Sequence, residues 1–277
     1  MNNKVSIVIP TKNSDMFLEN AFKSIKSQTY KDIEVIIVDG QSTDKTLQLA
    51  KKYNALVYQL KVDVPKGTFD APYRRNYGVK KSKGDYVYYL DADMELEKNV
   101  VKEAVGACIK GGYDAVIIPE NSFGSGPWAK AKNLERMCYW GDDSVEAPRF
   151  FKKKVWHEVG GLDVGLGGGG DDWDLYQKLL DLNKRVGRTH SMVNHNEGHL
   201  KIKKLMKKRF MYGRDSARYI SKRPKQGLIS YFPIRPAYIR NWKLFMTRPK
   251  DTCSFIVMRS AEYIAGFSGI MYSLLKR

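Results

Sequence analysis

Short apolar runs rich in valine and isoleucine alternate with amphipathic stretches along the first half of the chain. Residues 4–9 and 33–38 have the near-continuous apolar character of strands buried on both faces of a sheet. Residues 54–60 read as a third strand, 86–90 as a fourth and 114–119 as a further one. Helical periodicity fills the intervals at 15–28, 43–53, 70–81 and 98–110. Asp70 is a candidate cap for the third helix, where Pro72 is tolerated in the first turn. Alternation of this kind predicts an α/β class with a parallel, three-layer sheet. Ligands of such sheets lie beyond the carboxyl ends of the strands. That rule directs attention to Pro10-Thr11, Asp39-Gly40 and Asp91-Ala92-Asp93, all of which follow strands.

A second region, residues 128–199, contains a glycine run at 167–170 that suits a closely approached loop. Asp171-Asp172-Trp173-Asp174 follows, and residues 171–182 read as a helix with carboxylates in its first turn, where the dipole favours them. From residue 200 the pattern changes. Residues 200–223 form a helical stripe of apolar positions crowded by Lys201, Lys203, Lys204, Lys207, Lys208 and Arg209. Residues 253–275 are apolar and about long enough to cross a bilayer, but Arg259 and Glu262 interrupt them at a high cost in hydrocarbon.

Charge sharpens this division. The formal net charge of the 277-residue chain is +18. Residues 200–277 carry +16 of it and the preceding 199 residues only +2. A nearly neutral body with a basic end predicts an anionic partner, whether headgroups, lipid diphosphates or nucleic acid. We expect 200–277 to be an amphipathic, membrane-associating region. Phe255, Ile256, Ile264, Phe267, Ile270, Met271 and Leu274 would face lipid, with Tyr231, Phe232, Tyr238, Trp242 and Phe245 at headgroup depth. The expected location is the cytoplasmic face of the cell membrane, peripheral or monotopic. Cys108, Cys138 and Cys253 are scattered and odd in number, which suits a reducing compartment. No secretory signal is legible after Met1.

The chemistry-bearing residues are carboxylates. Asp91 and Asp93, at a strand end, can hold a hard divalent cation while leaving room for phosphate oxygens. Asp39 can accept hydrogen bonds from a base or ribose, while Thr43 or Asp44 caps the next helix. Arg74, Arg75 and Asn76 are either solvent-facing, or Arg75 pairs with Asp39 or reaches donor phosphate. Asp172 is the candidate general base, with Asp171 holding the acceptor or positioning its neighbour Asp172; adjacent carboxylates repel, which raises at least one pKa. The alternative is a cluster that merely caps a helix. His195, in the polar stretch 194–199, is the candidate that completes the metal sphere from a loop folded over the donor, with His199 as its competitor.

These motifs resemble glycosyltransferase family 2 in order and spacing. The matching pieces are Ser6-Ile7-Val8-Ile9-Pro10-Thr11-Lys12-Asn13, Val38-Asp39-Gly40-Gln41-Ser42-Thr43-Asp44, Arg75-Asn76-Tyr77-Gly78, Leu90-Asp91-Ala92-Asp93, and Gly160-Gly161-Leu162-Asp163 leading into Gly170-Asp171-Asp172-Trp173. The resemblance implies a GT-A fold, a Rossmann-like, mostly parallel sheet with helices on both faces, over residues 1–199. Residues 1–119 would form the nucleotide-sugar half and 120–199 the acceptor half. It further implies a UDP- or GDP-sugar donor contacted by Pro10, Thr11, Asn13, Asp39, Ser42, Arg75, Asp91, Ala92 and Asp93. Mn²⁺ or Mg²⁺ would sit on Asp91, Asp93 and His195, and the acceptor on Gly169, Gly170, Asp171 and Trp173. Asp172 would be the base of an inverting transfer. The family usually has Glu-Asp where this chain has Asp171-Asp172, a mild change. The Gln-x-x-Arg-Trp motif of processive members is missing, so transfer of a single sugar is expected. The basic stretch after His195 looks like members acting on lipid-linked glycans, which implies a lipid-linked saccharide or polyprenyl/dolichyl phosphate acceptor. Two other classes fit less well. A nucleic-acid binder would show a recognition motif, and none is legible, so no nucleic acid is expected. A nucleotidyltransferase would show a glycine-rich phosphate loop after its first strand.

Overall fold

The computed structural model describes residues 3–64, 69–143, 145–166, 170–232 and 235–275. Its first half alternates β1 (Val5–Thr11), α1 (Asp15–Lys26), β2 (Ile33–Asp39), α2 (Thr46–Lys52), β3 (Leu56–Gln59), α3 (Ala71–Lys81) and β4 (Tyr86–Tyr89). Then come β5 (Met94–Leu96), α4 (Val100–Lys110), β6 (Ala115–Ile117), β7 (Glu120–Ser125), α5 (Gly126–Tyr139), β8 (Phe150–Lys152) and α6 (Lys153–Glu158). The remainder is α7 (Asp171–Asp181), β9 (Val186–Arg188), β10 (Val193–His199), α8 (Ile202–Lys222), α9 (Pro224–Tyr231), α10 (Pro236–Arg240), α11 (Trp242–Thr247) and α12 (Pro249–Leu275).

The main sheet has the order β3-β2-β1-β4-β8-β6-β9. Its pairs are parallel except where β8 lies antiparallel between β4 and β6. Ile7, Ile9, Ile37 and Tyr88 bury one face, and Val8, Ile36, Val38 and Tyr89 the other. This is the α/β fold expected, with alternate residues of each strand feeding two cores. The antiparallel insertion was not anticipated. Three residues are too few to display a period, so only pairing with both neighbours makes β8 a strand.

A second sheet, β5-β10-β7, stands beyond the end of β4. Here the structure corrects the expectation that His195 lies in a loop folded over the donor. The residue lies in β10, paired with Met94 of β5 on one side and Ser122 of β7 on the other. Two smaller corrections concern local caps. Asp70 makes no capping bond to α3; its carboxylate pairs with Arg74 one turn on. The helix expected from residue 43 starts at Thr46, with Asp44 accepting the Thr46 N–H at 3.0 Å.

The basic end does not stand apart from the body. α12 lies along α8 and against α5, and Leu205, Phe255 and Met258 close a core with Ala131 and Leu134. Close approach of the two helices depends on glycine: a Cβ on Gly213 would come within 2.0 Å of the Gly266 carbonyl oxygen. Phe255, expected to face lipid, is therefore inside, and Tyr238 and Phe245 pack beside it. Arg259 and Glu262 are also buried. Arg259 pairs with Glu135 at 3.0 Å and Glu262 with Lys132 at 3.2 Å and Arg209 at 3.1 Å. Charges that looked like interruptions of a lipid-facing helix are thus neutralised inside the protein, the condition under which buried charge is tolerated. Ile256, Ile264, Phe267, Met271 and Leu274 remain exposed. No helix among the described residues is long and apolar enough to cross a membrane.

Candidate active site

The ends of β1 and β4 converge on a cleft of about 240 Å³ lined by Pro10, Thr11, Asn13, Arg74, Asp91, Ala92 and Asp93. Asp39 sits behind this wall, fully buried. It accepts hydrogen bonds from Thr11 Oγ1 at 2.9 Å, Ser42 N–H at 2.8 Å and Ser42 Oγ at 2.5 Å. A carboxylate offers about four lone-pair directions, so these three bonds leave roughly one, on Oδ2. The Gly40 turn is shaped by its neighbour: a Cβ there would stand 2.2 Å from an Arg74 nitrogen. Asn13 adopts a left-handed backbone (φ 51°) and accepts the Thr43 N–H at 2.8 Å, tying the β1 loop to the β2 loop.

Asp91 also lines a second, adjoining cavity of about 350 Å³, together with Arg75, Gly170, Asp171, Asp172, Trp173 and His195. Arg75 does not pair with Asp39. It donates to Asp91 Oδ1 at 2.6 Å and lies 3.6 Å from Asp171 and 3.7 Å from Asp172. The reason is position: Arg74 faces the Asp39 side, and one residue on, a helix turns its side chain through about 100°. Burial would raise the Asp91 pKa, but Arg75 and Arg149 together hold it well below the usual carboxylate range. Asp172 accepts a hydrogen bond from the Tyr89 hydroxyl at 2.9 Å and is part-exposed to the cavity. Asp171 is buried; burial first, then the Asp172 charge, lifts its carboxyl to about 7. The rise expected at one of two adjacent carboxylates is seen at Asp171. Both stand on α7, whose preceding Gly170 is left-handed (φ 109°) against the Tyr219 ring. Gly169 lies outside the described residues.

The expected metal ligands divide. Each oxygen of Asp91 meets one arginine, Oδ1 Arg75 at 2.6 Å and Oδ2 Arg149 at 3.2 Å, which leaves about one lone pair on each for a further partner. Asp93 Oδ2 and His195 Nε2 stand 3.2 Å apart. Ligands about 2.1 Å from a shared octahedral ion are roughly 3 Å apart, so this pair fits a divalent cation. The opposite ring nitrogen of His195 meets Glu120 at 2.9 Å, the outer carboxylate that orients a metal-bound imidazole. These contacts outweigh burial and lift the His195 pKa to about 10, and a bound cation displaces that proton. Among the described residues no group of three His, Cys, Asp or Glu forms a protein cage. His199 bonds Ser125 instead.

Several residues at this site escaped the sequence reading. Arg149 and Glu120 link Asp91 to His195 through a 3.5 Å ion pair. Glu120 follows the strand at β6, so the strand-end rule already pointed to it; Arg149 precedes a strand too short to recognise. Tyr89 lay hidden in an aromatic strand. Lys208, assigned to a membrane-facing row with Arg209, lines the cavity with it.

The sequence profile of glycosyl transferase family 2 matches residues 6–164, more than half of the chain. The chain belongs to glycosyl transferase family 2. This family 2 chain is 30% identical over 167 residues to the poly(ribitol-phosphate) beta-N-acetylglucosaminyltransferase TarP of Staphylococcus aureus, covering 55% of its own length and 50% of that relative. It is 35% identical over 97 residues to the GalNAc(5)-diNAcBac-PP-undecaprenol beta-1,3-glucosyltransferase of Campylobacter jejuni, covering 34% of its length and 30% of that protein. The match therefore spans half or less of these relatives. The fold is similar to that of the mannosyltransferase PcManGT from Pyrobaculum calidifontis, solved with GDP-Man and Mn²⁺. That likeness has a TM-score of 0.65 at 16% identity and covers 97% of this chain and 87% of that one. Staphylococcus aureus TarS 1–349 in complex with UDP-GlcNAc gives a TM-score of 0.56 at 16% identity, covering 99% and 92%. Both likenesses place the chain in the GT-A fold.

Proposed function

We propose that this chain is an inverting glycosyltransferase that moves a single sugar from a UDP- or GDP-sugar onto a hydroxyl of a lipid-linked acceptor at a membrane surface. The observation that carries the reading is the chain of contacts joining Asp93, His195, Glu120, Arg149, Asp91 and Arg75 to Asp172 across two adjoining cavities. The donor nucleotide occupies the cleft beside Thr11 and Asn13, with Asp39 offering its remaining lone pair. Asp93 and His195 would hold Mn²⁺ or Mg²⁺, which would supply positive charge facing the departing diphosphate.

The acceptor enters the larger cavity. Asp172 takes the proton from its hydroxyl as that oxygen bonds to the anomeric carbon. The bond from the anomeric carbon to the diphosphate breaks, and the nucleoside diphosphate leaves with the electron pair. The Tyr89 hydroxyl and Arg75 keep the Asp172 carboxylate oriented. Relatives acting on an undecaprenol diphosphate saccharide and on poly(ribitol-phosphate) support an acceptor that carries phosphate.

Membrane contact rests on the basic end and on exposed Ile229, Phe232, Ile239, Trp242, Ile264 and Phe267 in α9–α12. Each cation near an anionic leaflet contributes about 1 kcal/mol. The cytoplasmic leaflet is the expected side.

The decisive experiment measures Mn²⁺-dependent release of nucleoside diphosphate from a panel of UDP- and GDP-sugars. One donor is expected to stand apart, with turnover lost in Asp93→Ala. In Asp172→Asn, transfer is expected to fall ~10²–10⁴-fold while donor binding persists. Absence of metal-dependent turnover with every donor, or an Asp172→Asn variant as active as the parent, refutes the reading. Co-sedimentation with anionic but not zwitterionic vesicles tests the membrane half.

A further inference from the structure

The wall of the larger cavity holds six arginines, and five of them are paired with carboxylates. Arg75 and Arg149 bind Asp91, Arg136 binds Glu120 at 2.8 Å, Arg209 binds Glu262 and Arg259 binds Glu135. Arg235 is the exception among the described residues. One of its terminal nitrogens donates to the Ser230 carbonyl at 2.7 Å. Its Nε is buried with no hydrogen-bond partner. The guanidinium carbon lies 5.4 Å from the Tyr139 ring centroid and 5.7 Å from that of Trp173. Trp173 directly follows Asp172 and is itself held by a bond from its indole N–H to the Val145 carbonyl at 3.2 Å.

Two aromatic faces fix the plane of a guanidinium without using its donors, which all lie in that plane. Arg235 is part-buried, and a guanidinium with donors still free of a carboxylate is completed by an anion. A purely structural arginine in this wall finds a carboxylate, as the other five do. Lys208 also lacks an ion-pair partner among the described residues. Its ammonium lies 5.6 Å from the Tyr212 ring centroid, and it feels Tyr212 first and then the Glu197 charge, away from Trp173. Arg235 stands instead against Trp173, in the wall of the cavity that Asp172 also lines.

We infer that Arg235 forms an anion subsite that grips a phosphate of the acceptor, close to the hydroxyl that Asp172 deprotonates. This deepens the proposed function and rests on its placement of the acceptor in the larger cavity. The fork geometry of arginine matches two oxygens of one phosphate. Such a phosphate comes either from a polyprenyl diphosphate headgroup or from a polyol phosphate, and the site recognises the chemistry the two share.

The test is calorimetric titration of the full chain, without donor or metal, using inorganic phosphate, glycerol 1-phosphate, farnesyl diphosphate and neutral glycerol. The three phosphates are expected to bind and glycerol to fail. Arg235→Gln is expected to weaken phosphate binding at least tenfold. Tighter binding of farnesyl diphosphate assigns the lipid source, and tighter binding of glycerol 1-phosphate the polyol source; both support the subsite. Should Arg235→Gln not fold, phenylglyoxal labelling of the unmodified chain carries the test, with peptide mapping by mass spectrometry. Arg235 is expected to react, and inorganic phosphate to protect it. Phosphate affinity unchanged in Arg235→Gln, equal binding of glycerol, or labelling of Arg235 indifferent to phosphate overturns the inference. These readouts need no sugar transfer, so failure of donor turnover and failure of the subsite are separate results.

Discussion

Replacing Arg75 by methionine is the most informative perturbation of the site. The side chain is 9% exposed and is shared by Asp91, Asp171 and Asp172 at 2.6, 3.6 and 3.7 Å. At an effective dielectric near 20, the Asp91 contact alone corresponds to ~6 kcal/mol of attraction. Desolvation of Arg75 opposes this, since burial favours its neutral form. The net effect of removing one partner is dominated by the carboxylates left behind, at about 3–5 kcal/mol. At ~2 °C per kcal/mol for a chain of this size, the midpoint of thermal unfolding is expected to fall by roughly 6–10 °C. Arg75→Lys keeps the charge but not the fork, and is also expected to lose stability. Scanning calorimetry at pH 8 and low salt measures both. Adding Asp91→Asn to Arg75→Met is expected to recover part of the loss, because it removes an orphaned charge. A fall under ~2 °C, with the double variant merely additive, refutes the claim that Arg75 holds the acidic cluster together.

Three further outcomes follow from other parts of the molecule. Asp171 ionises at about 7 when folded and near its ordinary 3.8 when unfolded. Between those values the native state binds more protons, so the Asp171 contribution to stability falls as pH rises from about 4 to about 7 and is constant above; in urea unfolding, Asp171→Asn is expected to remove that slope, and an unchanged slope contradicts the assignment. Gly213→Ala puts a methyl against the Gly266 carbonyl and is expected to cost ~1–3 kcal/mol as α8 and α12 are pushed apart; equal urea midpoints for parent and variant contradict close packing. Glu120→Ala frees the His195 ring and is expected to weaken Mn²⁺ binding ~10–100-fold, read by electron paramagnetic resonance of free Mn²⁺; unchanged affinity removes His195 from the metal site.

The sequence by itself determined the parallel half of the sheet, because short β-branched runs such as residues 6–9 alternate with helical stretches, as strands covered on both sides do. It also located the carboxylates, since Asp39, Asp91 and Asp93 follow those strands and the rule for ligand position needs no coordinates. What it could not settle is which charge meets which. Arg75 was legible as a site residue, but its choice of Asp91 over Asp39 depends on the rotation of α3 against β1 and β2. His195 was legible as a candidate ligand, yet its place in a strand needed Met94 and Ser122 from distant segments as pairing partners. The basic end shows the limit most clearly. Its apolar stripe and lysines are the same pattern whether the covering surface is lipid or protein, and local periodicity does not say which. Only the approach of α12 to α8 at Gly213 decided that Phe255, Arg259 and Glu262 turn inward while Ile264 and Phe267 stay outside. Burial is a property of the pair of surfaces in contact, and a sequence displays one surface at a time.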